Sequence, residues 1–313
     1  MVSRSSAYIA VIIAAVLWGT PYTVVKIGLS ILSPPLPPLG YLWLRFLVAL
    51  LILIPLLVYS PIRNDTFKLL KNKSIVFLGL INGSTYVLQF LGQVGTTAAI
   101  AALLASTYLI STPIFSSYFQ GTKITRRLKL AVIGGISGAL IVSWSVSSDT
   151  RALEDTLTFI ISTLLVLMSG LVWGGYGVAS SKISKKAAEE GIEEMANSPA
   201  VFASSNFFSL LMVSILMLVL DQTPSVKSLT LEAWIAVTYL AVFCTLLPFI
   251  LYIYAGKVIE ATEMNVILLL NIIIGLIIAN LVLAEVLSFF GLIGSFLIIS
   301  SIYLESSSES NIF

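Results

Sequence analysis

Apolar residues along this chain form long runs that are separated by short polar segments. Each run approaches the roughly 20 residues that a helix needs to cross the hydrocarbon core of a bilayer. The breaks contain proline, charged or turn-forming residues, which interrupt helices. The pattern predicts ten transmembrane helices, at about residues 7–29, 39–59, 74–94, 98–119, 129–147, 157–179, 199–220, 232–256, 262–283 and 287–304.

The composition favours an integral membrane protein. Hydrophobic residues make up 58% of the 313 residues and charged residues only 10%, whereas a soluble domain carries about 25% charged residues. The longest polar segment, at about 180–198, is too short to fold alone. We therefore expect an all-α integral membrane protein without a separate soluble domain.

Two short motifs recur in the second half of the chain and indicate an internal duplication. A Trp-Gly motif and a Gly-x-x-Gly motif are each displaced by nearly half the chain length. The pairs are Leu17-Trp18-Gly19 with Val172-Trp173-Gly174, and Gly135 and Gly138 with Gly291 and Gly294. We predict two five-helix repeats, at residues 1–150 and 151–313. Duplicated membrane units of this kind are common in secondary transporters.

The positions of the basic residues predict the orientation of the helices. Most of the 17 lysines and arginines fall in loops that the ten-helix prediction places on one side, such as 63–73 and 123–129. Because basic loops face the cytoplasm, both termini are predicted to be cytoplasmic. Five helices per repeat make the second repeat enter from the opposite side, so the repeats are expected to be inverted. The expected location is a prokaryotic cytoplasmic membrane.

Segments spread over almost the whole chain carry a family resemblance. They are WGTPYTVVKIGL at 18–29, LRFLVALLIL at 44–53, the stretch from Tyr86 to Pro113, VWGGYGVASSKIS at 172–184, TLLPFILYIYAGKVIEATEMNVILLL at 245–270 and LVLAEVLSFFGLIGSFLII at 281–299. Together, and in the number and order of helices, they resemble the EamA-type branch of the drug/metabolite transporter superfamily. The resemblance implies a ten-helix carrier, with export of amino acids or related compounds as the leading expectation.

Two positions depart from the pattern of that family. A glutamate usually follows the fourth helix of each repeat; Glu285 matches it in the second copy, but 121–129 holds no acid. The frequent proline of the same helix matches Pro113, whereas Asn271 stands near its place in the second copy. A mechanism built on a symmetric pair of acids is therefore not expected.

Polar and aromatic residues inside the predicted helices are candidates for a substrate cavity, because exposing polar groups to lipid is costly. Several recur at helical spacing and so share one helix face. Aromatic faces with amides and hydroxyls suit a small amphipathic solute. An alternative stays open, since such side chains also join packed membrane helices. The candidates are Trp18, Tyr22, Asn82, Tyr86, Gln89, Gln93, Trp173, Tyr176, Thr245, Tyr252, Asn265 and Asn271.

Three charged residues inside or beside the helices are further candidates, namely Lys26, Arg45 and Glu285. The two basic side chains could extend towards lipid headgroups, and Arg45 could pair with Glu285. Alternatively, Lys26 or Arg45 attracts an anionic group on the substrate.

The residues that are missing disfavour several kinds of chemistry. The chain has no histidine and one cysteine, which removes the usual proton shuttle and most zinc sites. It also lacks the glycine-rich phosphate loop of ATPases. We expect neither an enzyme nor a metal or cofactor site.

The sequence leaves three functions to compare. The first is an alternating-access carrier of small organic metabolites, most simply amino acids or related compounds, moved outward across the cytoplasmic membrane. The second is a nucleotide-sugar or sugar-phosphate exchanger of the same superfamily, which should need several basic residues in its cavity. The third is a non-transporting membrane scaffold or receptor. The expected partners are the lipid bilayer and a small-molecule substrate but no nucleic acid, and the chain is expected to be a monomer or homodimer.

Overall fold

The computed structural model describes residues 3–59, 70–121, 126–147, 153–189, 199–256, 258–259, 264 and 267–309. Over these ranges the regular structure is helical and contains no β-strand, so the prediction of an all-α protein is confirmed. The α-helices are α1 (Arg4–Gly19), α2 (Pro21–Ser30), α3 (Pro38–Tyr59), α4 (Lys73–Gly95), α5 (Ala98–Ala105), α6 (Tyr108–Gln120), α7 (Arg126–Ser147), α8 (Leu153–Glu189), α9 (Pro199–Val219), α10 (Leu231–Ala241), α11 (Leu247–Ala255), α12 (Leu270–Leu283) and α13 (Phe289–Glu309).

Six helical segments among the described residues are long and apolar enough to cross a bilayer. They are Arg4–Ser30, Lys73–Gly95, Ala98–Phe119, Thr156–Ser180, Val201–Val219 and Leu231–Ala255. Shorter apolar helices cover Pro38–Ile54, Lys129–Ile141, Leu270–Leu283 and Phe289–Ser301. The count of ten spans and the inversion of the repeats stay predictions.

Side-chain caps fix where several helices begin. Ser3, Asn72, Thr97 and Thr230 each accept a hydrogen bond from a backbone N–H in the first turn of the helix that follows. The first N–H groups of a helix have no partner inside it, and short polar side chains supply one. These caps set the start of α1, α4, α5 and α10.

Three of the predicted spans are interrupted helices. The first breaks at Thr20, before Pro21 at the start of α2, and the fourth breaks between α5 and α6. The eighth contains a π-helical segment, Val242–Leu246, which joins α10 to α11. Proline has no N–H to donate to the carbonyl four residues earlier, so Pro248 at the start of α11 leaves the carbonyl of Cys244 without that donor.

The recurring glycines of the sequence lie where helices approach each other closely. A Cβ added to Gly138 on α7 would lie 2.6 Å from the carbonyl oxygen of Gly294 on α13. A Cβ on Gly19 would lie 2.8 Å from the carbonyl oxygen of Asn271 on α12, and one on Gly174 would lie 2.8 Å from the backbone nitrogen of Thr112 on α6. Small residues allow such backbone approach between membrane helices. Gly19 and Gly174, which the predicted duplication pairs, both lie at such close helix crossings.

Helix α5 lies at one end of the helix bundle. Every residue of α5 is almost fully buried, against α8 and α12. We call the end at which α4 ends and α5 begins the packed end. The opposite end, at which α4 and α9 begin, is called the cavity end.

Candidate functional site

A cavity lies between helices of both halves of the chain, from their middle towards the cavity end. The empty space between its walls and its opening is about 300 Å³. Its lining comes from α1, α4, α8, α9, the π segment and α11. The lining residues are Trp18, Asn82, Tyr86, Trp173, Tyr176, Phe202, Asn206, Cys244, Thr245 and Phe249.

Aromatic rings form most of the cavity wall. Trp173 stacks on Tyr176 with ring centroids 4.9 Å apart, and its other contact is the edge of Tyr86 at 5.7 Å. On the opposite wall, Phe202 of α9 stacks on Phe249 of α11 at 4.0 Å. Flat apolar walls of this kind favour binding of an apolar or aromatic group and receive a cation on their faces.

An amide pair supplies fixed polar groups to the same cavity. Asn82 is 3% exposed, and its Nδ2 donates to Ser209 Oγ at 2.9 Å and to Asn206 Oδ1 at 3.5 Å. Ser209 in turn donates to the carbonyl oxygen of Gly79 at 2.8 Å. Buried amides with such partners have a defined orientation. They can direct a substrate, and they also join α4 to α9.

Arg45 lies beside the cavity and reaches from α3 to the π segment. Its Nε donates to Thr245 Oγ1 at 2.9 Å, and its Nη2 donates to the Cys244 carbonyl oxygen at 3.3 Å. That carbonyl is the one that Pro248 leaves without a helical donor. The guanidinium carbon also lies 4.5 Å from the centre of the Tyr86 ring, at the distance of a cation–π contact.

The structure brings six of the sequence candidates together and leaves others apart. Trp18, Asn82, Tyr86, Trp173, Tyr176 and Thr245 line the cavity. Gln89 is 7% exposed but is not part of the lining. Gln93 donates from Nε2 to the carbonyl oxygen of Tyr22 at 3.3 Å, which is a contact between helices. Asn265 lies outside the described residues.

Behind Trp18, the cavity is adjoined by three further candidates, Tyr22, Tyr252 and Asn271. Tyr252 lies 5.6 Å from Trp18, measured between ring centroids. Tyr22 packs against Gly275 of α12, and Asn271 on the same helix is 5% exposed with its Oδ1 unpartnered. These three candidates are close to the cavity without lining it.

Lys26 and Glu285 lie at the packed end and not at the cavity. Lys26 Nζ donates to the carbonyl oxygens of Gln93 and Val94, both at 3.2 Å, at the carboxyl end of α4. Glu285 accepts from the backbone nitrogens of Ala98 and Ala99, at 3.0 and 2.8 Å. A cation at the end of a helix and an anion at its start are both favourable. The two charges thus hold the link between α4 and α5 from either side.

One expectation about these charges is wrong. The suggested pair of Arg45 with Glu285 does not form, because the carboxylate caps α5 while the guanidinium binds Thr245 and Cys244. The ammonium of Lys26 binds the last carbonyls of α4, and its extension to lipid headgroups stays a prediction.

Four lining residues were missed by the sequence analysis: Phe202, Asn206, Cys244 and Phe249. Asn206 carried a usable signal, because it is an amide inside an apolar run. The phenylalanines carried none, since an apolar residue in a membrane helix faces lipid, protein or a cavity with the same sequence pattern. Cys244 carried an indirect signal, because Pro248 four residues later lacks the N–H that would bond its carbonyl.

The chain is similar to known proteins over nearly its whole length. The model of the EamA-like transporter family matches the chain twice, at residues 5–144 and 160–307. Two proteins of Archaeoglobus fulgidus, each called an uncharacterized transporter, are 24% identical over 97% and 98% of this chain, and over 87% and 99% of their own lengths. One from Clostridium kluyveri with the same description is 25% identical over 96% of this chain and 94% of its own.

A crystal structure of another protein shows the same fold. It covers 99% of both chains with a TM-score of 0.64 at 17% sequence identity. That likeness concerns the fold alone. The two matches of the family model together cover nearly the whole sequence, and this chain belongs to the EamA-like transporter family.

Proposed function

We propose that this transporter carries small organic metabolites, amino acids or related compounds, outward across the cytoplasmic membrane by alternating access. The observation that supports this function most directly is the aromatic and amide cavity between the two halves of the chain. Sites between repeats near the middle of the membrane are the common arrangement in secondary transporters.

The charge around the cavity favours amino acids over phosphorylated solutes. Among the described residues, Arg45 is the basic side chain that contacts the lining, and Lys26 binds α4 at the packed end. A phosphate group would favour several cations, so the exchanger ranks second.

The proposed orientation follows from the basic loops. With both termini in the cytoplasm, the cavity end faces the cytoplasm and the packed end faces outward. Two inverted five-helix repeats then exchange roles when the opposite side opens. The paired contacts of Gly19 with α12 and of Gly174 with α6 support this symmetry.

Counterflow in proteoliposomes tests the function. Vesicles are preloaded with a mixed pool of unlabelled amino acids, and labelled members are added outside one at a time without a pH gradient. Uptake of a subset, absent from vesicles without protein, is the expected result. The proposal fails if neither amino acids nor phosphorylated sugars exchange, with or without an imposed pH gradient. Exchange of phosphorylated sugars alone would favour the second candidate, the nucleotide-sugar or sugar-phosphate exchanger.

A further inference from the structure

Arg45 is a buried cation whose guanidinium plane is fixed by the protein. The residue is 1% exposed, although it carries a permanent charge. Two of its nitrogens have partners on the π segment, Thr245 Oγ1 with Nε and the Cys244 carbonyl oxygen with Nη2. The Tyr86 ring covers one face of the guanidinium at 4.5 Å. These contacts do not involve Nη1, at the remaining edge of the guanidinium.

The remaining edge carries Nη1. Nη1 of Arg45 is buried and makes no hydrogen bond with the described part of the chain. A buried donor without an acceptor costs free energy, and an unpaired buried charge costs more. Three acids have described side chains: Asp221 and Glu232 are exposed, and Glu285 caps α5. None of these acids neutralises Arg45.

The unpartnered group adjoins the candidate site. Three residues that contact the guanidinium also line the cavity, namely Tyr86, Cys244 and Thr245. A ligand in the cavity therefore touches the same residues that hold the guanidinium. The planar fork of arginine matches the two oxygens of a carboxylate better than a lysine ammonium does, and charge-assisted bonds of this type are strong.

We infer that Arg45 is the anion-recognising residue of the cavity and that the carrier selects small carboxylates. The inference deepens the proposed function and rests on it, because it names the group of the transported solute that the site binds. The carboxylate binds at Arg45 and its apolar part packs between the aromatic walls. One arginine balances one negative charge, so a monoanionic head fits and a phosphate dianion is left undercompensated. An α-ammonium group, where present, binds against the ring faces and amide oxygens.

The test compares each acid with the amide in which an uncharged carboxamide replaces the carboxylate. Leucine, phenylalanine and serine are each paired with the corresponding amide, and 4-methylpentanoate is paired with 4-methylpentanamide to remove the amine from the comparison. Binding to the purified full chain is followed by tryptophan fluorescence, since Trp18 and Trp173 line the cavity. We expect wild-type protein to bind at least one acid about tenfold more tightly than its amide, which is about 1.4 kcal/mol.

Variants assign that preference to one residue. Arg45→Gln is expected to bind acid and amide within about twofold of each other, while Arg45→Lys keeps part of the preference because it keeps the charge but not the fork. Lys26→Gln removes a cation at the packed end and is expected to keep the full preference. A merely structural role of Arg45 would instead weaken the acid and the amide equally. If Arg45→Gln cannot be purified, the wild-type comparison and Arg45→Lys decide the matter.

The outcomes separate this inference from the proposed function. Equal binding of acids and amides by wild-type protein, or an undiminished acid preference in Arg45→Gln, overturns the carboxylate site even if amino acids exchange in vesicles. A clear acid preference that Arg45 variants reduce supports the site even if counterflow is absent. That result would support the carboxylate-binding site and contradict the proposed transport function.

Discussion

The packed end and the cavity treat their basic side chains differently. At the packed end, Lys26 binds two carbonyl oxygens of α4, and the nearby carboxylate of Glu285 caps α5. At the cavity, Arg45 binds Thr245 and Cys244, but Nη1 remains unpartnered and no described acid approaches it. Both cations use backbone carbonyls that a helix end or a proline has freed. At the packed end, the protein itself supplies hydrogen-bond partners to the charged side chains. At the cavity, one donor of Arg45 remains for a ligand.

The most direct test of this comparison measures how accessible the cavity and the packed end are to a thiol reagent. In a Cys244→Ser background, Phe202→Cys lies in the cavity lining and Ala101→Cys lies in α5, where Ala101 is 0% exposed. We expect a membrane-impermeant thiol reagent to label Phe202→Cys almost completely and Ala101→Cys hardly at all, since thiol reaction requires access. Mass spectrometry of inside-out and right-side-out vesicles measures both. Equal labelling of the two positions would show that the packed end is not closed.

Adjacent glycines near the cavity give the next largest effect. A Cβ at Gly174 would lie 2.8 Å from the backbone nitrogen of Thr112, whereas one at Gly175 meets nothing closer than Phe115 at 3.7 Å. Overpacking costs about 1–3 kcal/mol, so Gly174→Ala should lower the thermal unfolding midpoint in detergent. Gly175→Ala should be neutral or slightly stabilising, because alanine favours helix by up to about 1 kcal/mol. Equal thermal unfolding midpoints of the two variants would contradict the close crossing of α6 and α8.

The aromatic wall should contribute to the binding of solutes. Trp173→Ala removes the stack on Tyr176 and the contact with Tyr86. We expect about tenfold weaker binding of any solute that the cavity accepts, as aromatic contacts contribute about 0.5–1.5 kcal/mol beyond area burial. Competition in the counterflow assay measures it. Trp234→Ala, on a partly exposed side chain of α10 outside the lining, is the control and should leave affinity unchanged.

The cap of α5 should show the smallest effect, confined to stability. Glu285→Ala removes the carboxylate from the backbone nitrogens of Ala98 and Ala99, although Thr97 still caps the helix. Loss of a helix cap costs about 1 kcal/mol. A lower unfolding midpoint with an unchanged ratio of acid to amide binding is expected. A changed ratio would mean that the packed end takes part in recognition and that the two ends are not separate in function.

Much of the site was predictable because it follows one helix face. Asn82 and Tyr86 stand four residues apart in an apolar helix, and both line the cavity. The same spacing also selected Gln89 and Gln93, which the structure places elsewhere. Periodicity identifies the face of a helix that avoids lipid, but it does not say whether that face meets a cavity or another helix. Gln93 meets α2, so its amide serves packing.

The sequence by itself determined the membrane class, the all-helical fold and the family, because runs of apolar residues in a bilayer leave the backbone no alternative to helices. It also marked the glycines at which helices cross. Tertiary structure decided the partner of each buried charge. Lys26, Arg45 and Glu285 bind groups far away in sequence, at helix ends and beside Pro248. A hydrogen bond depends on which carbonyls and N–H groups face the side chain across a helix interface, and that geometry exists only after the helices have packed.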